Sequence, residues 1–522
     1  MPTLPPAPQL ASAAVVFYGP HGAVTRYAIL RGVCRQTLYR EADAVIRALD
    51  PRPRQEEVAK LRQQVADARA ECDELRRQLA VAVVVDRDKQ AEFAATGQAC
   101  GVSLSVIYTL LSVLLGDATP SRTELGRWNK VAGRRAGALL AVLDHNSRGR
   151  ARQIAADEIF SGRRPILMTI EPQSLCWLGG RLADNRDGET WAEEFRSLTA
   201  AEQVTADGGL GLRKGVALAS VERQQAGGLP LRDQRDHFHI VHRARRARCG
   251  ARHQAVQAFQ RAEKMQAKYD HAGRHGVPRS PTQGRLLKEA WAQAEQAMDR
   301  WMAQEAADRR LQAALTLVTP NGTLNTRARA EAEVPAVLVG QTGDDWARAR
   351  RLLTPEAFTF LDRVHEHLEA LPIPAELRDA AVRVETLRRR PEARCGDTSA
   401  AAAARGVLLV ASVTLALAQE AGERALALVR EVLDGAWRSS SLVEGVNSVV
   451  RMHQRRQKRL TQSLLDMQRL YWNMRVFRAG KRKGSSPYGR LGLILPEGGW
   501  WALIKLTPEQ LQQELSALNP AA

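Results

Sequence analysis

Hydrophobic and polar residues alternate in three different rhythms along this 522-residue chain, and each predicts a different structure. In residues 13–50 the period is helical. A short helix is expected to end at Gly32, where a left-handed turn suits glycine. A second helix follows, with Val33, Leu38, Ala42 and Val45 inward and Arg35, Gln36, Thr37 and Arg40 outward. That layout predicts a helix-turn-helix whose second helix offers polar side chains to base edges and phosphates. An ordinary helical hairpin has the same spacing. Residues 1–12 are Pro-rich and are expected to be irregular.

From 56 to 83 the rhythm is stricter. Val58, Leu61, Val65, Ala68, Cys72, Leu75, Leu79 and Ala82 recur in steps of three and four, with mainly polar residues between them. This heptad seam predicts a short coiled coil, hence self-association, with Ala68 and Cys72 as its weak middle. An amphipathic helix packed on its own domain is the alternative. Residues 90–145 repeat the helix–turn–helix pattern around Gly101-Val102-Ser103, where Ser103 can cap the second helix. Ser121-Arg122-Thr123 then opens a helix carrying Arg127, Lys130, Arg134 and Arg135. Two such units flanking a coiled coil suggest a two-part grip on DNA, although packing alone also explains the second.

The period changes at 152. Gln153–Phe160, Pro165–Glu171 and Ser174–Leu178 read as strands, with Pro172 breaking the run between the last two. A helix is expected at Gly188–Leu198, a strand at Gln203–Asp207 and a helix near 211–225. A fifth strand, His237–Val241, is expected to lead into a basic helix. From about 250 to 435 the pattern is almost wholly helical, and 436–478 is one long helix or two. The chain therefore divides into 1–50, a coiled-coil linker 51–85, a second helical unit 86–148, an α/β core 149–248, an all-helical insertion 249–435, a segment 436–483 that completes the core, and a tail 484–522 that the pattern leaves unassigned.

Composition narrows the reading. Hydrophobic residues make up 44% and charged residues 25%, as in ordinary globular proteins. Lys and Arg number 76 against 57 Asp and Glu, a net charge of +19 that points to a polyanion partner. The six cysteines are scattered and form no CxxC, which supports neither a zinc site nor a disulfide framework. The start lacks a basic n-region, and the longest apolar run, 406–418, falls short of the roughly 20 residues of a span. A cytoplasmic chain is expected.

Three acids stand out by position. Asp157 is expected at the end of the first strand, Asp207 at the end of the fourth before Gly208-Gly209, and Glu444 on a late helix. Carboxylates from such places can hold a pair of Mg2+ ions, with Mn2+ as a substitute. Two ions stabilise the attacking and leaving oxygens of a phosphodiester. One Asp would bridge both ions, and the other two acids would hold one each. Glu158 and Glu171 are rivals to Asp157. Basic runs at 232–264 and 451–490 flank these acids, and the second is interleaved with Tyr471, Trp472 and Phe477.

The order β-β-β-α-β-α-β-α is that of a ribonuclease H-like core. With VTADGG around Asp207, DHFH from Asp236 to His239 and SLVEGVN around Glu444, the chain resembles DDE-type bacterial insertion-sequence transposases. The resemblance covers 152–245 and 436–478. It implies an α/β ribonuclease H-like core with a mixed five-stranded sheet, a large all-α insertion, and end-binding helix-turn-helix modules before it. It also implies a catalytic and metal-binding triad of Asp157, Asp207 and Glu444, two Mg2+ ions, and a homodimer or higher oligomer acting on double-stranded DNA at the nucleoid. DNA contacts are expected from Arg35, Gln36, Thr37, Arg40, His239, Asn447, Arg451, Arg455, Arg456, Lys458 and Arg459. The implied activity is strand cleavage and strand transfer by a 3′-hydroxyl. The alternatives are an inactive, domesticated DNA-binding regulator and another ribonuclease H-like nuclease such as a junction resolvase.

Overall fold

The computed structural model describes residues 5–49, 55–81, 85–276, 278, 280–389, 398–454 and 460–520. The chain divides into two compact units, Met1–Asp86 and Arg87–Ala522. Among the described residues no single helix is long and apolar enough to cross a membrane.

The first unit opens with α1 (Ala7–Tyr18), α2 (Ala23–Arg31), α3 (Arg35–Leu49) and α4 (Gln55–Val81). Part of the Pro-rich start is thus helical and not irregular. Proline is tolerated in a first turn, where its missing N–H has no helical partner. α1 is held because Leu10, Ala13 and Val16 pack against Ala42 and Val45 of α3. Arg31 of α2 pairs with Glu41 of α3, and the Ser12 hydroxyl of α1 donates to the same carboxylate. Gly32, at φ 62°, closes α2 with the left-handed turn its sequence predicts.

The second unit begins with α5 (Arg87–Ala99), α6 (Leu104–Leu115) and α7 (Arg122–Arg148). A five-stranded sheet follows, of β1 (Gln153–Ser161), β2 (Arg164–Glu171), β3 (Cys176–Leu182), β4 (Gln203–Ala206) and β5 (Arg232–Arg235), with α8 (Gly188–Arg196) and α9 (Leu210–Gln225) between the later strands. Strand order is β3-β2-β1-β4-β5. β1, β2 and β3 pair antiparallel, whereas β1–β4 and β4–β5 are parallel. The chain is therefore an α/β core with a mixed sheet, set among helical regions.

Two strands differ from their expected places. The third starts later because the Glu171 carboxylate accepts hydrogen bonds from the Gln173 and Ser174 amides, tightening a turn over 172–175. The fifth is RDQR at 232–235, not HFHIV. His237–Val241 instead opens a helix, α10 (His237–Arg274), which the Asp236 side chain caps by accepting from the Phe238 amide at 2.7 Å. β5 is polar, so hydrophobic alternation does not reveal it. Its buried half is held by polar contacts: Arg235, 2% exposed, forms an ion pair with Asp233 at 2.8 Å, and the Gln234 amide bridges Ala357 and Phe360.

Helices then run through α11 (Pro281–Ala314), α12 (Arg327–Leu338), α13 (Asp344–Leu352), α14 (Thr359–Glu369), α15 (Ala375–Arg388), α16 (Thr398–Leu417) and α17 (Glu420–Asp434). One apolar core joins α10 to α13 around Trp346, Phe358 and Phe360, and another joins α14 to α17. The return to the sheet is clamped by side chains. Gln153 of β1 donates to Gly435 O at 2.5 Å, Gln203 of β4 donates to Trp437 O at 3.1 Å, and the His237 amide donates to Arg438 O at 3.0 Å. Arg363 of α14 binds Glu202 beside β4 at 2.9 Å. Burial alone would raise Glu202, but hydrogen bonds from His367 and Arg363 outweigh it and hold the carboxyl at about 2.

α18 (Val443–Gln454) packs on β1 and β2, and α19 (Gln462–Met474) packs on α7 and β3. The tail folds back as three short helices, α20 (Pro487–Arg490), α21 (Gly499–Leu503) and α22 (Pro508–Leu518). Their Tyr488, Trp500, Leu503, Leu511 and Leu515 join the core beneath the sheet.

Candidate functional site

β1 is an apolar strand interrupted by two acids, and its pleat separates them. Side chains alternate between faces, so Asp157 shares a face with Gln153 and Ala155, beneath α18. Glu158 points to the other face and pairs with Arg186. Glu171 is spent on its turn. The rivals to Asp157 are thus committed elsewhere.

Asp157 does not end β1, as expected, but lies mid-strand. β1 is kept extended past it by its hairpin with β2, which pairs through Ser161. What ends near Asp157 is the pairing with β4. Ala155 lies opposite Thr205 in that parallel ladder, and continuing the register by two residues sets Asp157 beside Asp207. Neighbouring strands are about 4.8 Å apart. Asp207 follows β4 directly and is exposed. Its Oδ1 accepts the Gly209 amide at 2.9 Å across Gly208, whose φ of 86° needs glycine.

Glu444 comes from the first turn of α18. The start of that helix is set by Ser440, whose hydroxyl donates to the buried Asp236 carboxylate at 2.5 Å. Asp236 in turn is fixed by its own amide, which donates to Ala206 O of β4 at 2.9 Å. A chain of bonds therefore runs from the end of β4 through Asp236 to α18. One turn further on, Asn447 donates to Asp157 Oδ2 at 2.8 Å.

Electrostatics couple the three acids. Burial pushes the Asp157 carboxyl up to about 6, and the nearby charges of Glu444 and Asp207 add to the rise. Hydrogen bonds from the Glu158 amide and Asn447 oppose it. Asp157 is thus a partly buried carboxylate with two acidic neighbours and, among the described residues, no cation paired with it. Glu444 itself is half exposed and turned toward Arg451, at 2.5 Å. Among the described residues no three His, Cys, Asp or Glu side chains stand as one ready-made ligand group.

The donor chemistry suits a hard divalent cation. All three groups are carboxylates, the ligand type Mg2+ prefers. The elevated Asp157 is a group whose anion gains most from an added positive charge. The buried Asn447 Oδ1 has no partner, a second polar atom left unmatched beside it.

The remaining expected residues fall in different places. Arg35, Gln36 and Arg40 are exposed on α3, and Thr37 is partly buried. His239 lies in the first turn of α10, 3.6 Å from Asp236 Oδ2. Asn447, expected to face DNA, is instead fully buried and serves Asp157. Arg451 is exposed and engaged with Glu444. Arg455, Arg456, Lys458 and Arg459 lie outside the described residues. In the basic run 232–264, Arg232, Arg235, Arg243, Arg246 and Arg248 are all matched by internal acids, so much of its charge is structural. Trp472 is buried and donates to Leu175 O, and Tyr471 meets Trp500 edge-on, so both belong to the core. α6 carries no Lys or Arg and exposes Val106, Val113 and Leu114, whereas Arg127, Lys130, Arg134 and Arg135 are exposed on α7.

Sequence reasoning missed Gln153, Gln203 and Ser440, which set the position of α18. The available signal was a glutamine at the start of each of two apolar strands. No protein-family model matches the chain, and no curated protein matches its sequence.

Proposed function

We propose that this chain is a DDE-type DNA transposase that cuts phosphodiesters at the ends of a mobile element and joins the freed 3′-hydroxyl to target DNA. The observation that carries this reading is the elevated carboxyl of Asp157 on β1, to whose rise the charges of Asp207, after β4, and Glu444, on α18, both add. The sheet order 3-2-1-4-5, antiparallel on one side of β1 and parallel on the other, supports a ribonuclease H-like core. A large helical region between β5 and α18 supports the insertion that the resemblance implies.

Asp157, Asp207 and Glu444 would hold Mg2+, which when bound supplies positive charge to the attacking and leaving oxygens. The protein's own work is placement. β1 and β4 hold two carboxylates in register, and Asn447 fixes the orientation of Asp157. The Asp236–Ser440 bond sets where α18 begins. Arg451 sits seven residues beyond Glu444 and can exchange its carboxylate partner for a DNA phosphate. α3 supplies Arg35, Gln36 and Arg40 for base and phosphate contacts. The carboxylates act as ligands and not as general bases.

The test uses the full chain, Mg2+ and a plasmid carrying the DNA that borders its gene. Metal-dependent breaks at a fixed border and joined 3′ ends are expected. Breaks without joining would favour a nuclease such as a resolvase. Tight binding without breaks would favour a regulator.

A further inference from the structure

We infer that α4 pairs with the α4 of a second copy of this chain as a parallel, in-register coiled coil, setting each Cys72 against its counterpart. The inference rests on α4 alone and holds whether or not the chain cuts DNA. In heptad terms Val65 and Cys72 occupy position a, and Leu61, Ala68 and Leu75 occupy position d. Leu61, Val65 and Leu75 are 54%, 50% and 55% exposed, so this seam is open in a single chain.

The flanks of the seam choose both partner and direction. The e positions hold Arg62, Arg69 and Arg76, and the g positions hold Gln64, Glu71 and Gln78. In a parallel pair each g residue faces the e residue five places on in the other strand. Glu71 then meets Arg76 of the second copy, and Gln64 meets Arg69. An antiparallel pair would set e against e, arginine on arginine along the whole flank, which is repulsive. A single helix with one basic and one acidic-to-neutral flank is complementary to itself only in the parallel arrangement. In a single chain Arg76 rests on Asp73 at 3.2 Å, with its side chain 81% exposed. Such an exposed pair is worth little, and it yields readily to Glu71 of another copy.

Register places Cys72, which is exposed, at an a position. Matching a residues face each other across a parallel coil, within the roughly 4.4–6.8 Å between Cα atoms that a disulfide spans. The full chain is therefore treated with oxidised glutathione, which takes up the two protons and two electrons as two thiols become one disulfide. A Cys72–Cys72 linked dimer is expected, lost in Cys72→Ser. In that Cys72→Ser background, Leu61→Cys should also link to itself, because both copies of residue 61 lie at the same end of the coil. Arg69→Glu/Arg76→Glu, with helix content checked by circular dichroism, should remain a monomer at concentrations where the wild type is a dimer. A wild-type monomer throughout a concentration series would overturn the inference. So would a dimer in which neither residue links to itself, or unchanged association of the Arg69→Glu/Arg76→Glu chain.

Discussion

Replacing Asp157 with asparagine should make the protein more stable while removing its proposed activity. In the fold the Asp157 carboxyl is raised from 3.8 to about 6. The ionised form is therefore disfavoured on folding, by about 2.2 units at about 1.4 kcal/mol each, or roughly 3 kcal/mol at pH 7. Asparagine carries no charge, and its oxygen accepts the Glu158 amide. Its NH2 replaces the oxygen that accepts from Asn447, so the Asn447 amide turns over and its Oδ1, which now has no partner, accepts instead. For a unit the size of Arg87–Ala522, unfolding entropy of about 0.9 kcal/mol per kelvin turns 3 kcal/mol into a rise of about 3 °C in Tm. The pH dependence gives the sign. A raised acid contributes most to stability when protonated, and that contribution is lost as pH climbs through about 6. Calorimetry of wild type and Asp157→Asn at pH 7 and pH 4, without added metal, should thus show a gap that nearly closes at the lower pH. An Asp157→Asn protein that is no more stable at pH 7, or a gap indifferent to pH, would refute the picture of a strained, uncompensated carboxylate.

Asp207→Asn and Glu444→Gln should each abolish cleavage in a plasmid assay while leaving DNA affinity, measured by fluorescence anisotropy, within about twofold. Ligation needs the charge, whereas the α3 contacts do not. Arg451→Ala frees Glu444 from an ion pair in which both side chains are about half exposed. An exposed pair of about 0.2–1 kcal/mol predicts a Mg2+ requirement lower by about 1.5- to 5-fold in a metal titration of cleavage. Glu202→Gln should destabilise the core by about 1–3 kcal/mol, a figure discounted for partial exposure. Because folding lowers Glu202 to about 2, the loss should be full above pH 4.5 and should fade as pH drops toward 2 in denaturation curves.

Much of this was legible where burial follows hydrophobicity. β1, β2 and the capped helices α6 and α7 announce themselves through apolar runs and capping serines. β5 does not, because RDQR is placed by polar contacts, within the strand and to α14 and the turn before it, and not by its own apolarity. The start of α10 was signalled by Asp236 as a cap, but a β-like alternation in HFHIV concealed it. The three acids could be nominated from the sequence, yet not the reason Asp157 outranks Glu158. That depends on which face of β1 lies under α18, a fact of packing 290 residues away from Asp157, at Asn447. The tail was opaque because its Trp500 and Leu511 are buried against a core built by distant segments, Trp500 meeting Tyr471 of α19.

The central claim is that Asp157, Asp207 and Glu444 together hold the bound Mg2+ ions. Fe2+ in place of Mg2+, with ascorbate and peroxide, generates hydroxyl radicals that cut backbone close to the bound ion, and the fragments can be mapped by mass spectrometry. Cuts are expected at three separated places, near 157, 207 and 444, all suppressed by excess Mg2+ and all weakened together by Asp207→Asn. Cuts confined to one of these segments, or scattered where Mg2+ does not protect, would contradict it.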